Sequence, residues 1–376
     1  MRNAYIQAQL HYWPDFISVI TLQYDSNSSL LTQALTLEAN LRIDLILESR
    51  EPPETIAELG RLAEDSGIGG VWVSSMLDAR DPFLNFAELA RTTEKIRMGP
   101  IALSPYELHP LRMAMSLLTL NEASRGRAQI VVGGGGGTMT AMGLKPQRRV
   151  RAVRECLEIL QQACSGEPIN YEGDLFTVRN YRPSWVESPP PAIYAGANRV
   201  QMQRMAPRFA DGVMLSDKIV AQVIEARERI DPVLDEAGRS RNNFRLNNFW
   251  AWHIKPTRDE AQAEARIWLA LRGVLLRANH HYFMNEADMD IVDAKRPAFF
   301  DALRRRSPDI QGVPERIIET LVENLTSCAA IDDIDKEIDR LRQFQEAGLT
   351  EIALRIYKNP AETIRLLGER VVPALT

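Results

Sequence analysis

Residues 128–138 read AQIVVGGGGGT. A short apolar run, Ile130, Val131 and Val132, stops in five consecutive glycines: Gly133, Gly134, Gly135, Gly136 and Gly137. A buried strand that ends in glycines lets backbone N–H groups approach a ligand with no side chain in the way. The ligand such a surface suits is an anion, most often a phosphate. A flexible turn is the plain alternative. The run fits neither common phosphate fingerprint: Thr138 stands where the dinucleotide pattern needs its last glycine, and no Gly-Lys-Ser/Thr follows. The rest of the chain has to decide.

Working outward, apolar and β-branched runs alternate with stretches of helical period. LRIDLILES from Leu41 reads as a first strand, and Glu54 to Ser66 as a helix with apolar residues at three-and-four spacing. Val71 to Val73 is a second strand, and Leu84 to Ile96 a second helix. MGPIALSPY is a third strand, crossed by Pro100 and Pro105, so a bulge or an unusual peptide bond is expected in it. Leu111 to Ala123 is a helix, and His109 before Pro110 is expected to cap it. The glycine-ended run is the fourth strand.

An excursion follows: a helix over Arg148 to Cys164, then a hairpin in PINYEGDLFTVRNYRP. The alternation resumes with strands at Ala192 to Ala195, Asp211 to Leu215 and Arg245 to Ile254. A long helical region from Arg258 to about Leu341 is expected to be irregular between Asn279 and Asp309. The last strand is Glu351 to Ile356. Eight strands joined by helices become parallel through right-handed crossovers. Closed on themselves they make an α/β fold, a (β/α)8 TIM barrel with an insertion after strand 4 and a long helical region before strand 8. A doubly wound open sheet is the other reading. Residues 1–40 lack a sustained period and are set outside the fold, leaving 41–376 as one domain.

In a parallel barrel the segments that follow the strands share one rim. Here the rim collects Glu48, Ser74 to Met76, Leu103, Ser104, Tyr106, the glycines, Gly196 to Arg199, Ser216 and His253. It is poor in strong acids and bases and rich in small groups, which suits a large anionic cofactor that carries its own chemistry. GANRV after the fifth strand leads into a helix, so a phosphate there meets N–H groups with Arg199 as counter-charge. Glu48 is the candidate proton donor, against a carboxylate paired to a lysine or arginine. His253 either reaches the pocket or is structural. Adjacent His280 and His281 point apart on a helix, so no metal site is expected. Replacing Gly135 by valine is expected to weaken ligand binding beyond any loss of stability.

A net charge of -5 without basic blocks argues against a nucleic-acid partner, and no apolar run has membrane-spanning length. Three cysteines and no CxxC read as reduced thiols in a cytoplasmic protein.

Several segments in this order and spacing, AELGRLAEDSGIGGVWV, DARDPF, TTEKIRMGPIALSPYELHP, LTLNEASRGRAQIVVGGGGG and IYAGANRVQMQRMAPRFADGVML, resemble the bacterial-luciferase-like superfamily. The branch they are most similar to is the deazaflavin (coenzyme F-420)-dependent reductases that resemble methylenetetrahydromethanopterin reductase. The resemblance implies a TIM barrel, usually a homodimer, binding FMN or coenzyme F-420 at the carboxyl rim. It implies cofactor contacts at Leu103 and Ser104, at Gly133 to Gly137, and at Gly196, Ala197, Asn198, Arg199 and Val200. It also implies a non-prolyl cis peptide near Ile101-Ala102. Ser75-Met76, Ser104-Pro105-Tyr106 and Arg199-Val200 depart from the family's usual Asp-His, Asn-Pro-Tyr and Gly-Pro. The activity implied is hydride transfer between coenzyme F-420 and a small-molecule substrate. An FMN-dependent monooxygenase with a separate reductase, or a non-catalytic flavin-binding barrel, are the alternatives.

Overall fold

A computed structural model describes residues 40–271 and 275–375. The expectation for residues 1–40 falls almost wholly outside that range. The first half runs β1 (Arg42–Leu47), α1 (Pro53–Asp65), β2 (Gly70–Ser74), α2 (Ala87–Thr92), β3 (Arg97–Ile101), α3 (Pro110–Ala123) and β4 (Gln129–Val132). The excursion is α4 (Gly137–Ala141), α5 (Arg149–Ala163) and the hairpin β5 (Ile169–Glu172) and β6 (Thr177–Tyr181). Then come β7 (Ala192–Gly196), α6 (Val200–Met205), β8 (Gly212–Ser216), α7 (Val220–Glu236) and β9 (Arg245–Lys255). The helical region is α8 (Arg258–Trp268), α9 (Arg277–His280), α10 (Glu286–Ala294), α11 (Arg296–Arg305) and α12 (Glu315–Leu325). The chain closes with β10 (Ser327–Ala330), α13 (Ile334–Glu346), β11 (Glu351–Arg355), α14 (Pro360–Leu366) and α15 (Val372–Leu375).

Eight parallel strands follow in the order β3-β2-β1-β11-β9-β8-β7-β4. Two bridges, Met98 to Ala128 and Leu103 to Val132, join β3 to β4 and close the ring. This is the TIM barrel, and closure rules out the open sheet. Arg127, buried just before β4, helps draw the seam together. Its guanidinium donates to the carbonyls of Ala90, Thr93, Ile96 and Ser124 and to the Thr93 hydroxyl, at 2.7–2.8 Å. β10 lies outside the ring, parallel to the far end of β9.

Inside the barrel, Ile46, Trp72, Ile101, Val131, Tyr194, Met214 and Ala353 form one apolar cluster. Below it a buried polar layer ties the strands together. Asp44 accepts from Trp72 Nε1 at 2.8 Å and pairs with Arg42, and Glu351 accepts from Tyr194 at 2.7 Å. Outside, the helices pack their apolar faces on the strands: α1 buries Ile56, Ala57, Leu59, Gly60 and Ala63. His109 caps α3, its Nδ1 accepting from the Leu111 amide at 3.2 Å. In the insertion the buried carboxylate of Glu155 accepts from the amides of Asp174, Leu175 and Phe176 and so holds the hairpin turn on α5.

Three expectations need correction. The second helix is shorter than Leu84 to Ile96, with a single 3-10 turn followed by α2. The middle of the long helical region is largely regular, since α10 and α11 occupy most of Asn279 to Asp309. Asn285 caps α10 by accepting from the Asp288 amide at 2.9 Å, and Pro297 enters α11 at its first turn. β10 was not anticipated.

Candidate active site

The strands place the expected rim residues at one end of the barrel. Two residues past the inner apolar cluster the chain reaches Glu48, Ser74, Leu103, Gly133, Gly196, Ser216 and Arg355. Four of these seven are glycine or serine, so the layer at the mouth leaves room where the layer below is filled. The exceptions are buried Leu103 and the pair Glu48 and Arg355, which face each other from neighbouring strands.

The two glycine-bearing loops adjoin because β4 pairs with β7, with Val132 opposite Ala195. A Cβ added at Gly196 would lie 3.8 Å from the Gly133 Cα. One added at Gly133 would lie 3.1 Å from the Ala102 Cβ, so the chain after β3 closes in on the same spot. The peptide bond between Ile101 and Ala102 is cis, as the resemblance implied, and Ala102 is exposed between buried Ile101 and Leu103. Gly136 and Gly137 are exposed, and an added Cβ at either would meet no atom within 4 Å. Gly135 differs. Its φ of +85° and the Met139 Cγ, 2.7 Å from an added Cβ, demand glycine for the fold itself. A Gly135→Val variant therefore mixes strain with any effect on binding, contrary to the expectation from sequence.

Some amides of these loops already have partners. The Gly133 amide donates to the Leu103 carbonyl at 2.8 Å and the Ala197 amide to the Met214 carbonyl at 3.0 Å. Those of Gly134 to Gly137 and of Asn198 to Val200 have none among the described residues. The Asn198 side chain accepts from the Ser216 amide at 2.8 Å, which fixes the second loop against β8. Arg199 is exposed and, among the described residues, its guanidinium has no ion-pair partner. Ser104 is buried, and its hydroxyl accepts from the Tyr106 amide at 3.3 Å. Thr138 bonds to Glu107, and Tyr106 to the Gln147 carbonyl, so the segment that follows the glycine loop is laced to the loop after β3 at both ends.

Glu48 is the one rim carboxylate singled out from the sequence, and it is paired. Its Oε2 lies 2.7 Å from Arg355 Nη2, and its Oε1 lies 3.0 Å from Arg50 Nη1. Partial burial works to raise its pKa. The Arg355 guanidinium, the Arg50 amide and the Arg50 guanidinium overcome that, and the carboxyl titrates below its ordinary value. At neutral pH it stands as a carboxylate, so the proton-donor role would require the pair to open.

His253 is fully buried. Its Nδ1 lies 2.9 Å from Glu264 Oε2 and its ring stacks on Tyr357 at 5.0 Å, which is a structural arrangement. His280 is buried, and His281 packs on Tyr282. Among the described residues no group of three or more His, Cys, Asp or Glu has the spacing to hold a metal ion. No helix among them is long and apolar enough to cross a membrane. Two cavities, of about 690 and 380 Å³, lie away from the mouth, along α8.

Sequence reasoning missed Arg355, although its place two residues beyond Ala353 in the last strand marks it as inward-facing. It also missed Lys218, buried just after β8, whose Nζ donates to Asn279 Oδ1 at 2.7 Å and ties α9 to the barrel.

The fold and its mouth define the class of protein: a (β/α)8 barrel with two adjoining loops of bare amides at its carboxyl rim. The family model described as luciferase-like monooxygenase matches residues 32–351, and the chain belongs to that family of oxidoreductases. It is 28% identical over 320 residues to a 5,10-methylenetetrahydromethanopterin reductase of Archaeoglobus fulgidus, covering 84% of this chain and 94% of the relative. It is 23% identical over 344 residues to an F-420-dependent glucose-6-phosphate dehydrogenase of Microbacterium testaceum, covering 86% and 94%. Among solved structures, the coenzyme F-420-dependent tetrahydromethanopterin reductase from Methanopyrus kandleri superposes with a TM-score of 0.72 at 23% identity, covering 90% of this chain and 100% of that one.

Proposed function

We propose that this protein transfers a hydride between coenzyme F-420 and a small organic substrate at the barrel mouth. The observation that carries the reading is the contact between the two glycine-bearing loops, with open space over Gly136 and Gly137. The donor set fits the group: among the described residues the amides of Gly134 to Gly137 and Asn198 to Val200 and the Arg199 guanidinium have no partner, and the nearby Glu107 carboxylate is engaged by Thr138. Two similar proteins named for their dependence on coenzyme F-420 support that cofactor.

In this reading the amides of Gly134 to Gly137 and Asn198 to Val200, with Arg199, hold the phosphate. Ala102, Leu103 and Ser104 form the wall against which the ring packs. When bound, a deazaflavin supplies the hydride chemistry: it has carbon where a flavin has N5, so it carries hydride and does not activate oxygen. The chain's own work is to orient, to exclude water and to place charge. Glu48, held ionised, accepts a hydrogen bond or a proton from a substrate group that reaches it.

The test is a titration of the purified protein with coenzyme F-420 and, separately, with FMN, following absorbance with and without oxygen. Binding of the deazaflavin supports the reading. Tight FMN binding with oxygen uptake on supply of reduced flavin overturns it in favour of a monooxygenase. Deazaflavin binding without turnover across a broad panel of alcohols and reduced pterins favours a barrel that binds without catalysing.

A further inference from the structure

We propose that Arg355 is a positioning residue for Glu48: it fixes the place and the charge of the carboxylate at the floor of the barrel mouth. The claim of a role in the reaction rests on the reading above, whereas the contact itself does not. Four observations carry it. Arg355 ends β11 directly opposite Ile46 of β1, so it sits on a strand whose neighbour ends one residue before Glu48. Its Nη1 donates to the Ile46 carbonyl at 3.1 Å while its Nη2 holds Glu48 Oε2 at 2.7 Å. The ring of Tyr357 lies 4.9 Å from its guanidinium carbon, so the group is held from a third side. The exposures differ: the Arg355 side chain is 11% exposed and that of Glu48 31%. The carboxylate therefore faces the mouth and the guanidinium stands behind it.

The layer explains why this pair is there. Most of its neighbours on the inner face are glycines and serines, which leave room. A part-buried ion pair is a poor means of stabilising a fold compared with apolar packing, because desolvation offsets much of the attraction. A charged pair part-buried at the edge of a cleft is a candidate for serving it. A second arginine also reaches Glu48. Arg50, from the loop after β1, pairs with it at 3.0 Å and with Asp78, from the loop after β2, at 2.7 Å. Arg50 and Asp78 are both largely exposed, so solvent screens them and the loops that carry them can move. Arg355 is then the partner that sets the charge state, and Arg50 a weaker, outer one. The carboxyl groups of the polar layer, Asp44 and Glu351, lie at the opposite end of their strands and have their own arginine, Arg42.

The experiment is carbon-13 NMR of the full chain labelled at glutamate carboxyls, titrated with acid, with Glu48→Gln used to assign the signal. In the wild type the signal is expected to remain that of a carboxylate below the ordinary glutamate midpoint of about 4.3. In Arg355→Met the proton affinity of Glu48 should rise at least about tenfold. Arg355→Lys, which keeps the charge, should restore most of the wild-type behaviour. Arg50→Gln should change it by less than about threefold. Should Arg355→Met fail to fold, Arg355→Gln serves, since its amide can still donate to the Ile46 carbonyl. A midpoint for Glu48 that does not move in either variant overturns the inference, and so does a larger displacement in Arg50→Gln. A merely structural stitch would change the melting temperature without moving the titration. A wild type that takes up no deazaflavin removes the proposed function while leaving the titration to stand or fall alone.

Discussion

Gly137 is the residue at which the binding claim is cleanest. It is exposed, opens α4, and has nothing within 4 Å of where a Cβ would stand. Alanine favours a helix over glycine by about 1 kcal/mol. Gly137→Ala should therefore leave the melting temperature of the free protein unchanged or slightly raised. The same methyl group intrudes on the phosphate approach, and deazaflavin affinity should fall about tenfold or more, on the order of 1.4 kcal/mol. Fluorescence titration beside a thermal melt checks both. Equal affinity in a folded Gly137→Ala protein would remove this loop from the site. Gly135 cannot serve, because its positive φ and the Met139 contact make glycine a requirement of the backbone. Glu48 gives a second expectation. Its folded pKa is depressed, so its pairing contributes stability above the unfolded value of about 4.3 and loses it as pH falls through the folded value. Glu48→Gln should flatten the loss of stability below about pH 4.5 relative to the wild type. Urea melts at pH 7 and pH 4 measure it, and parallel curves would show that the pair contributes nothing. Glu48 was legible as a rim carboxylate because it directly follows a strand. Its partner was not, because Arg355 is more than 300 positions away and becomes a neighbour only when the ring closes.

At the scale of elements, the eight barrel strands were legible because each is a short run of branched and apolar residues bounded by glycine, proline or a helix. β10 was not. Its sequence, Ser327 to Ala330, has none of the residues that favour strands, and it forms by adding to an existing edge of β9. The regularity of α10 was readable in principle: asparagine three positions before an acidic residue is a helix start, and Asn285 acts as one. The closure of the barrel hangs on a thin seam. β3 and β4 share two isolated bridges where other neighbours share a ladder. Arg127 compensates with its five bonds to groups around the base of the seam. Arg127→Met leaves several buried carbonyls without a donor and should destabilise the protein by about 3 kcal/mol. Chemical denaturation checks this, and a change under about 1 kcal/mol would show that the seam holds without it.

For the molecule as a whole, closure turns a list of strand ends into a site. Residues far apart in the chain, at the ends of β1, β3, β4, β7 and β11, share one mouth, and the two loops of bare amides meet there because their strands are hydrogen-bonded neighbours. The family fold followed from that arrangement together with the ordered segments. The substrate did not, because no motif in the chain names a ligand beyond the cofactor loops. The two cavities along α8 are the competing places for a ligand. A crystal of the protein soaked with coenzyme F-420 separates the possibilities most directly. Phosphate density should lie within hydrogen-bonding reach of the Gly134 to Gly137 and Asn198 to Val200 amides, with the ring toward Ala102. Density seated in either α8 cavity, or a mouth left empty at saturating cofactor, would contradict the assignment.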